Sequence, residues 1–419
     1  MAAGSRGTWA IICGGGTAGH VLPALAIGRA LVAAGHPASA IHFVGSQRGI
    51  EGRLVPEAGF EVTLLPGRGL VRRLSPANIT AVAGLLAAAA KAVVLVARRR
   101  PAVVVSVGGY ASVPGVLAAA LARVPLVVVE QNAAPGAANR LAARVARASA
   151  TSFAGSSLPR AVVTGNPVRD EILAVDRSPG GRAAARSVLG VAPGDQMVVA
   201  FGGSLGALRI NQAVIGLVER WRGRPGTTIY HVVGNRDWDL MQACGLSDGD
   251  RLSYRQVRYE DRMDLVYGAA DVAVCRAGAS TVAELAAVGL AAVLIPLPGA
   301  PNDHQTANAR ALVDAGAARL VPDGEVTPER LAGELEDLLA HPDLLATMGR
   351  AATTVAHPDA AAAVARLVEQ VATGGWAGRA GRAGGAGGSG GSGGAGGLGG
   401  SGGAGGSGGA GGAGGAGGG

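Results

Sequence analysis

Short runs of apolar residues alternate with stretches of helical periodicity along the first 371 residues of the chain. Runs that are apolar at every position predict strands buried on both faces of a parallel sheet. Helices between consecutive strands supply the crossovers that parallel pairing requires. In the first half the predicted strands are residues 9–13, 41–44, 102–107, 126–129 and 162–164, and the predicted helices are residues 23–34, 79–97 and 140–150.

The pattern begins again near residue 197. Its predicted strands are residues 197–201, 229–233 and 271–274 and a run ending at Pro296, and its predicted helices start at Val282 and cover residues 330–339 and 360–371. This repeat predicts an α/β fold of two Rossmann-like domains facing across a cleft. We expect an N-terminal domain at 1–166, with a helix at about 357–372 packing back on it, and a C-terminal domain at 167–356. The GNPVR turn (165–169) is the expected hinge, and the Gly/Ala/Ser repeats of 373–419 predict a disordered tail.

Glycine-rich loops follow three predicted strands, at residues 14–20, 108–115 and 202–211. A loop of this kind that opens a helix presents free backbone N–H groups and a positive dipole end, which attract phosphate. The first loop satisfies GxGxxG, but the second strand ends in Gly45 and Ser46 instead of the acidic residue that binds the ribose of NAD. We therefore expect phosphate or sugar binding without NAD. A tight strand-to-helix turn without a ligand is the simpler alternative.

The stretch 275–308 predicts a pocket for a nucleotide-bearing substrate. A strand stops near Gly278, a helix follows, and the next strand leads into a polar cluster. Ligands of open α/β sheets collect at the carboxyl ends of strands. Glu284 has two interpretations: a ligand of the substrate or, at capping-box spacing from Thr281, a cap of its own helix.

His20 stands beside the first glycine loop, at the start of a predicted helix. A helix N-terminus disfavours the protonated imidazole, which suits a neutral base that takes a proton from a hydroxyl. A capping or orienting histidine is the alternative.

The formal net charge of +8 favours an anionic partner, while an aromatic content of 3% leaves little material for stacking nucleic-acid bases. We therefore expect no nucleic-acid partner. The three cysteines form no CxxC pair, and no signal peptide is evident, so a reducing cytoplasm is expected. The apolar segment 79–97 contains Lys91 and is flanked by arginines, which predicts a crossover helix that rests on an anionic membrane surface, or a buried helix with solvated ends.

The motifs GGGTAGH, VGGYASVPG, EQN, GNPVR, FGGSLGA and CRAGASTVAEL, in this order, resemble the MurG family of membrane-associated N-acetylglucosaminyltransferases of peptidoglycan synthesis. The resemblance covers roughly residues 8–371. It implies the two-domain GT-B fold and inverting transfer of N-acetylglucosamine from UDP-GlcNAc to the C4 hydroxyl of the muramyl sugar of lipid I, which gives lipid II. It also implies no cofactor, no bound metal, and a peripheral location on the cytoplasmic face of the cell membrane.

The resemblance also implies roles for individual residues. Glu284 would hold the ribose, the backbone N–H of Ala279 would meet the sugar, and His304 and Gln305 would reach its hydroxyls. The implied UDP-GlcNAc site comprises Thr17, Ala18, Gly19, Asn132, Arg169, Gly203, Ser204, Ala279, Ser280, Thr281, Glu284, His304, Gln305 and Asn308. The implied acceptor loops contribute Gly16, Gly108, Gly109, Tyr110 and Ser112. His20, beside the first of these loops, is the candidate catalytic residue.

Three positions depart from the family pattern: Ala18 and Leu205 replace a glycine and a glutamine, and Glu260 replaces an apolar residue near the uracil. The Asp-x-Asp pairs at 237–239 and 248–250 lie in loop-like sequence and are expected to be solvated turns instead of a metal site. Another GT-B transferase, a UDP-GlcNAc epimerase of similar architecture and a membrane-tethered nucleotide-sugar-binding protein are the alternatives.

Overall fold

A computed structural model describes residues 7–66, 77–203, 205–241 and 251–375, and of residues 77–83 it describes the backbone alone. Within these ranges no helix combines the length and the apolar character needed to cross a membrane. The predicted tail lies almost wholly outside the described residues, as do Ser204 and the Asp-x-Asp pair at 248–250.

The first half of the chain forms a seven-stranded parallel sheet in the order β3-β2-β1-β4-β5-β6-β7. Its strands are β1 (Ala10–Cys13), β2 (Ile41–Ser46), β3 (Glu61–Leu65), β4 (Val103–Ser106), β5 (Leu126–Glu130), β6 (Ala148–Thr151) and β7 (Ala161–Val163). Its helices are α1 (Ala18–Ala33), α2 (Glu51–Glu57), α3 (Ala77–Arg99), α4 (Val113–Ala122) and α5 (Ala137–Ala142), with 3-10 turns at Ala38–Ala40 and Tyr110–Ser112.

The second half forms a six-stranded parallel sheet in the order β10-β9-β8-β11-β12-β13. Its strands are β8 (Gln196–Phe201), β9 (Thr227–Val232), β10 (Ser253–Val257), β11 (Val272–Cys275), β12 (Ala291–Leu294) and β13 (Ala318–Leu320). The remaining helices are α6 (Asp170–Leu173), α7 (Pro179–Leu189), α8 (Leu208–Arg220), α9 (Trp238–Met241), α10 (Met263–Ala269), α11 (Ala279–Val288), α12 (His304–Asp314), α13 (Pro328–Ala340), α14 (Pro342–Thr354) and α15 (Ala360–Ala372), with 3-10 turns at Pro301–Asp303 and Asp323–Glu325.

Each sheet is covered on both faces, which explains why its strands are continuously apolar. On β1, Ala10 and Ile12 face the core that holds α1 and α15, whereas Ile11 and Cys13 face the core under α3 and α4. The prediction of two parallel-sheet α/β domains is therefore confirmed.

The last helix, α15, belongs to the core of the N-terminal sheet and not to that of the sheet that precedes it in the chain. Its buried residues Val364, Leu367, Val368 and Val371 pack in the same cluster as Ile12. Burying an aliphatic side chain of this size contributes about 1.5–3 kcal/mol. The chain thus passes between the domains twice, at the GNPVR turn and again before α15. The residue limits proposed for the domains stay a prediction.

Two predicted elements differ from the structure. The helix expected at 140–150 ends at Ala142, and residues 148–151 form the buried strand β6. That strand, ASAT, has small side chains and no β-branched run, so alanine content misleads the prediction. The first helix begins at Ala18 and contains Pro23, which was expected to be its first residue.

Candidate functional site

The first glycine loop runs from the end of β1 into α1 and is held from behind by a buried carboxylate. The backbone N–H of Gly16 donates to both oxygens of Glu51, at 3.2 and 3.1 Å. The backbone N–H of Ser46 also donates to Glu51, at 2.6 Å. The motifs gave no indication of Glu51. A glutamate that closely follows glycines in β2 and its loop is the sequence signal for this residue. A carboxylate can approach the backbone closely only where Cβ atoms are missing.

The second glycine loop lies against the first. A Cβ atom at Gly109 would lie 2.9 Å from the Gly15 carbonyl oxygen and 3.7 Å from the His20 ring. The Tyr110 hydroxyl lies 2.8 Å from Ser46 Oγ, and Ser112 Oγ donates to the Gly109 carbonyl oxygen at 2.9 Å. Gly108 lies beside the side-chain amide of Asn139. The structure therefore brings the predicted acceptor loops together next to His20.

His20 is the third residue of α1, and its Nδ1 lies 3.1 Å from Thr17 Oγ1. Burial lowers the pKa of His20, whereas the charges of Glu130 and Glu51 act to raise it. The net direction is downward, so the imidazole is neutral at pH 7. If Nδ1 carries the ring hydrogen and donates it to Thr17, Nε2 is left bare and can accept a proton.

The amides of the first turn of α1, at Ala18 and Gly19, have no acceptor inside the helix. They lie at the positive end of the helix dipole, beside the loop that carries Gly16. This arrangement suits an anionic group of a ligand.

Asn308 joins the carboxyl ends of the two sheets. Its side-chain oxygen accepts from the Ala133 backbone N–H at 2.8 Å, and its Nδ2 donates to Asn132 Oδ1 and to the Ala277 carbonyl oxygen, each at 3.2 Å. Asn308 is fully buried. The loop after β5 and the loop after β11 therefore meet at a seam, and Asn132 and Asn308 lie in it.

Glu130, at the end of β5, organises the N-terminal side of this seam. Its carboxylate accepts from the Asn132 and Gly136 backbone N–H groups at 2.9 and 3.0 Å and from Asn139 Nδ2 at 2.9 Å. The EQN motif (130–132) predicts a role in the site for its asparagine alone. In the structure the glutamate holds that asparagine in place.

Glu284 sits in a buried network with Arg169 and Tyr267. Arg169 Nη2 donates to Glu284 Oε1 at 3.3 Å, and the Tyr267 hydroxyl donates to Oε2 at 3.0 Å. Burial raises the pKa of Glu284, and the Arg169 charge and the Tyr267 hydrogen bond oppose that rise. The helix-cap alternative does not hold, because Glu284 is the sixth residue of α11, and Gly278 occupies the N-cap without a side-chain bond.

The first turn of α11 contains Ala279, Ser280 and Thr281, whose backbone N–H groups have no acceptor inside the helix. Among the described residues, the buried Ser280 Oγ has no hydrogen-bond partner. Gly203, in the loop after β8, has a left-handed φ of 91° and open space around the position of a Cβ. These groups are free to meet an anionic or sugar ligand.

His304 and Gln305 open α12, directly after two strained residues. Asn302 and Asp303 have positive φ values of 56° and 49°, which non-glycine residues rarely adopt. The buried Nδ1 of His304 has no partner among the described residues, and Gln305 accepts from the Leu297 backbone N–H at 2.9 Å. Burial lowers the pKa of His304, although Glu130 and Asp303 act to raise it.

The structure corrects the prediction for one acidic residue, Asp237, and gives a partner to another, Glu260. Asp237 was expected in a solvated turn, but it is 2% exposed and bonds Asn211 Nδ2 and Arg236. It therefore supports the neighbouring loop and is not a solvated turn. Glu260, left without a role, accepts from the Tyr230 hydroxyl at 2.6 Å.

Comparison with known proteins agrees with this architecture. The glycosyltransferase family 28 N-terminal domain matches residues 10–151, and the glycosyltransferase family 28 C-terminal domain matches residues 197–364. A relative from Desulforudis audaxviator, named UDP-N-acetylglucosamine--N-acetylmuramyl-(pentapeptide) pyrophosphoryl-undecaprenol N-acetylglucosamine transferase, is 38% identical over 86% of this chain and 98% of its own length. A relative of the same name from Nocardia farcinica is 40% identical over 86% of this chain and 95% of its own.

A solved structure of MurG from Acinetobacter baumannii is 30% identical in sequence. It superposes with a TM-score of 0.67 over 87% of this chain and 99% of the other. The chain therefore belongs to glycosyltransferase family 28, and it is a sugar transferase of the two-domain GT-B fold.

Proposed function

We propose that this enzyme transfers N-acetylglucosamine from UDP-GlcNAc to the C4 hydroxyl of the muramyl sugar of lipid I, with inversion, and so forms lipid II. The observation that carries the proposal is the seam itself. It combines a neutral histidine on one side, free helix-terminal amides on the other and a buried carboxylate–arginine pair beside them. The relatives from Desulforudis and Nocardia are named for this donor and this kind of acceptor.

The chemistry follows from these groups. His20 Nε2 takes the proton of the acceptor hydroxyl, whose oxygen attacks the anomeric carbon as the bond to the UDP oxygen breaks. The leaving diphosphate gains negative charge, which the first-turn amides of α11 and the Gly203 loop stabilise through fixed dipoles. The proton stays on the imidazole until solvent removes it.

On the donor side, Glu284 accepts from the ribose hydroxyls through lone pairs that Arg169 and Tyr267 leave free, because each carboxylate oxygen has two. His304 and Gln305 contact the sugar hydroxyls. Support comes from His304 Nδ1, which has no partner among the described residues, and from Gln305, whose oxygen is held by the Leu297 backbone N–H.

In this proposal, the surface of the protein that faces the membrane is the outer side of α3, α4 and α5. These helices share one layer on the N-terminal sheet, and large apolar residues are exposed along it. The exposed apolar residues are Leu86, Val94, Leu117, Leu121, Leu141 and Val145, and the exposed cations of the same layer are Lys91, Arg98, Arg123, Arg140, Arg144 and Arg147. Apolar side chains among cations suit the surface of an anionic leaflet, and we place the enzyme on the cytoplasmic one.

The test is a transfer assay with labelled UDP-GlcNAc and a lipid I analogue, without added metal. We expect a disaccharide lipid, with UDP-glucose a poor donor. Formation of a 2-epimer without acceptor would favour the epimerase, transfer to a different acceptor would favour another GT-B enzyme, and binding without turnover would favour a carrier protein. Any of these results would refute the proposal.

A further inference from the structure

Glu51 is a buried carboxylate that no sequence motif or proposed contact with substrate explains. It is 2% exposed and lies at the start of α2. Its hydrogen bonds come from the Gly16 and Ser46 backbone N–H groups, and it forms no ion pair with a lysine or arginine in the described part of the chain. A buried charge without a cation is costly unless fixed hydrogen bonds compensate it.

The chain around Glu51 is shaped to hold this carboxylate. A Cβ atom at Gly15, Gly45 or Gly49 would lie 2.2, 2.3 or 1.9 Å from a Glu51 side-chain atom. Three glycines, one in the first glycine loop, one in β2 and one in the loop after β2, therefore leave the space that the carboxylate occupies. Such a cage points to a specific use of the group, because an apolar side chain would fill the same space without the cost of burying a charge.

The contacts of Glu51 lead directly to His20. Glu51 bonds the N–H of Gly16, and the next residue, Thr17, places its hydroxyl 3.1 Å from His20 Nδ1. Ser46, whose N–H also bonds Glu51, has its hydroxyl 2.8 Å from that of Tyr110. One carboxylate thus fixes both loops that flank the imidazole.

We propose that Glu51 is a positioning residue for the transfer reaction: it locks the Gly16–Thr17 segment that orients His20, and it supplies negative charge to the imidazolium that forms when His20 takes the acceptor proton. The inference rests on the proposed function. Among the described residues, the charges of Glu130 and Glu51 act to raise the pKa of His20, and that of His304 acts to lower it. Removing the Glu51 charge therefore lowers the pKa of His20 further.

The kinetic test compares Glu51→Gln with Glu57→Gln. Glu57 is an exposed glutamate of the same helix and pairs with Arg53. We expect Glu51→Gln to lower kcat roughly 10-fold or more, as part of the ~10²–10⁴-fold that a general base contributes. The KM for UDP-GlcNAc should change by less than about twofold, and the acid limb of the kcat/KM profile should move to lower pH. Glu57→Gln should match the wild type. An unchanged kcat and pH profile in Glu51→Gln would overturn the inference.

A double variant tests whether Glu51 acts through His20. In a His20→Ala background, Glu51→Gln should cause no further loss of kcat, because the two residues serve one step. An equal loss in both backgrounds would show that Glu51 acts elsewhere and would contradict the proposal. Glu51→Asp keeps the charge and shortens the side chain, so it carries the test if Glu51→Gln does not fold.

The pKa of His20 can be measured independently of turnover, by NMR of histidine-labelled protein. The signal of His20 is assigned as the one that is lost in His20→Ala. We expect a lower pKa in Glu51→Gln than in the wild type, and none of this shift in Glu57→Gln. Absence of the shift would refute the electrostatic role of Glu51. If the wild type transferred no GlcNAc, the proposed function would fail, but this measurement would still decide whether Glu51 acts on His20.

Discussion

Glu284→Gln separates the ligand-binding role of the seam from its structural role. The Glu284 carboxylate is 7% exposed and is held by Arg169 at 3.3 Å and by the Tyr267 hydroxyl at 3.0 Å. Glutamine keeps the length of the side chain but removes the charge and one acceptor oxygen. The substitution therefore weakens any ribose hydroxyl bond to this position while it leaves the volume filled.

The expected magnitude follows from the type of bond lost. A hydrogen bond to a charged group contributes about 1.5–3 kcal/mol. Each ~1.4 kcal/mol changes the affinity by a factor of ten, so the KM for UDP-GlcNAc should rise roughly 10- to 100-fold. The weakened Arg169 and Tyr267 contacts should cost about 1–3 kcal/mol of folding stability. At roughly 2–4 °C per kcal/mol in a domain of about 150–250 residues, the size of the C-terminal half, Tm should fall by several degrees.

The assay measures initial rates against UDP-GlcNAc at saturating acceptor, together with Tm by calorimetry. Tyr267→Phe is the matched control, because it removes a hydrogen bond of the same network and keeps the carboxylate charge. We expect it to lower Tm and to leave the KM within about twofold. The reasoning is refuted if Glu284→Gln lowers Tm with an unchanged KM, or if Tyr267→Phe raises the KM as much as Glu284→Gln does.

Three further outcomes are expected. His20→Ala should lower kcat ~100-fold or more, and near-normal turnover would leave His20 only an orienting role. In the wild type, the acid limb of the pH profile of kcat/KM should lie below the ordinary histidine pKa of about 6.5. His231, fully buried, has a pKa lowered to about 4 by burial, so the unfolded chain binds its proton first. The free energy of unfolding should fall by about 3 kcal/mol as pH drops from 6.5 to 4. Denaturant titrations at several pH values measure this fall, and an equal fall in His231→Gln would contradict the prediction. Leu121→Ser should weaken sedimentation with anionic vesicles several-fold without changing transfer to a soluble acceptor analogue, whereas equal vesicle binding would exclude this surface.

The pattern of apolar residues predicts most of the fold for a physical reason. Strands buried on both faces need no alternation, so runs such as VVVS in β4 are continuous. Three of them, β1, β4 and β8, lead into glycine-rich loops that turn the chain. Parallel pairing then brings the carboxyl ends of such strands to one edge, which is why loops far apart in sequence meet at the seam. The β6 strand was missed because alanine and serine carry no strand signal of their own.

The supporting carboxylates could not be found in the same way. Glu51 reaches the Gly16 N–H, 35 residues earlier, only because β1 and β2 are neighbours in the sheet, which no local spacing encodes. Glu130 holds backbone N–H groups two and six residues away, but no motif marks the loop that folds back on it. The burial of Asp237 is hard to predict for a related reason, since its partner Asn211 lies 26 residues earlier. Local sequence predicts groups that meet a ligand through a recognisable loop more readily than groups that hold such a loop in place.

The return of α15 to the first sheet affects how either half of this enzyme can be produced alone. A fragment cut after residue 166 lacks Val364, Val368 and Val371, and the apolar groove that these residues fill would face solvent and promote aggregation. A soluble N-terminal half would have to be assembled from two segments, with residues 357–375 spliced behind residue 166 through a short linker. His20 and the far end of the folded chain would then be recovered together in a single polypeptide.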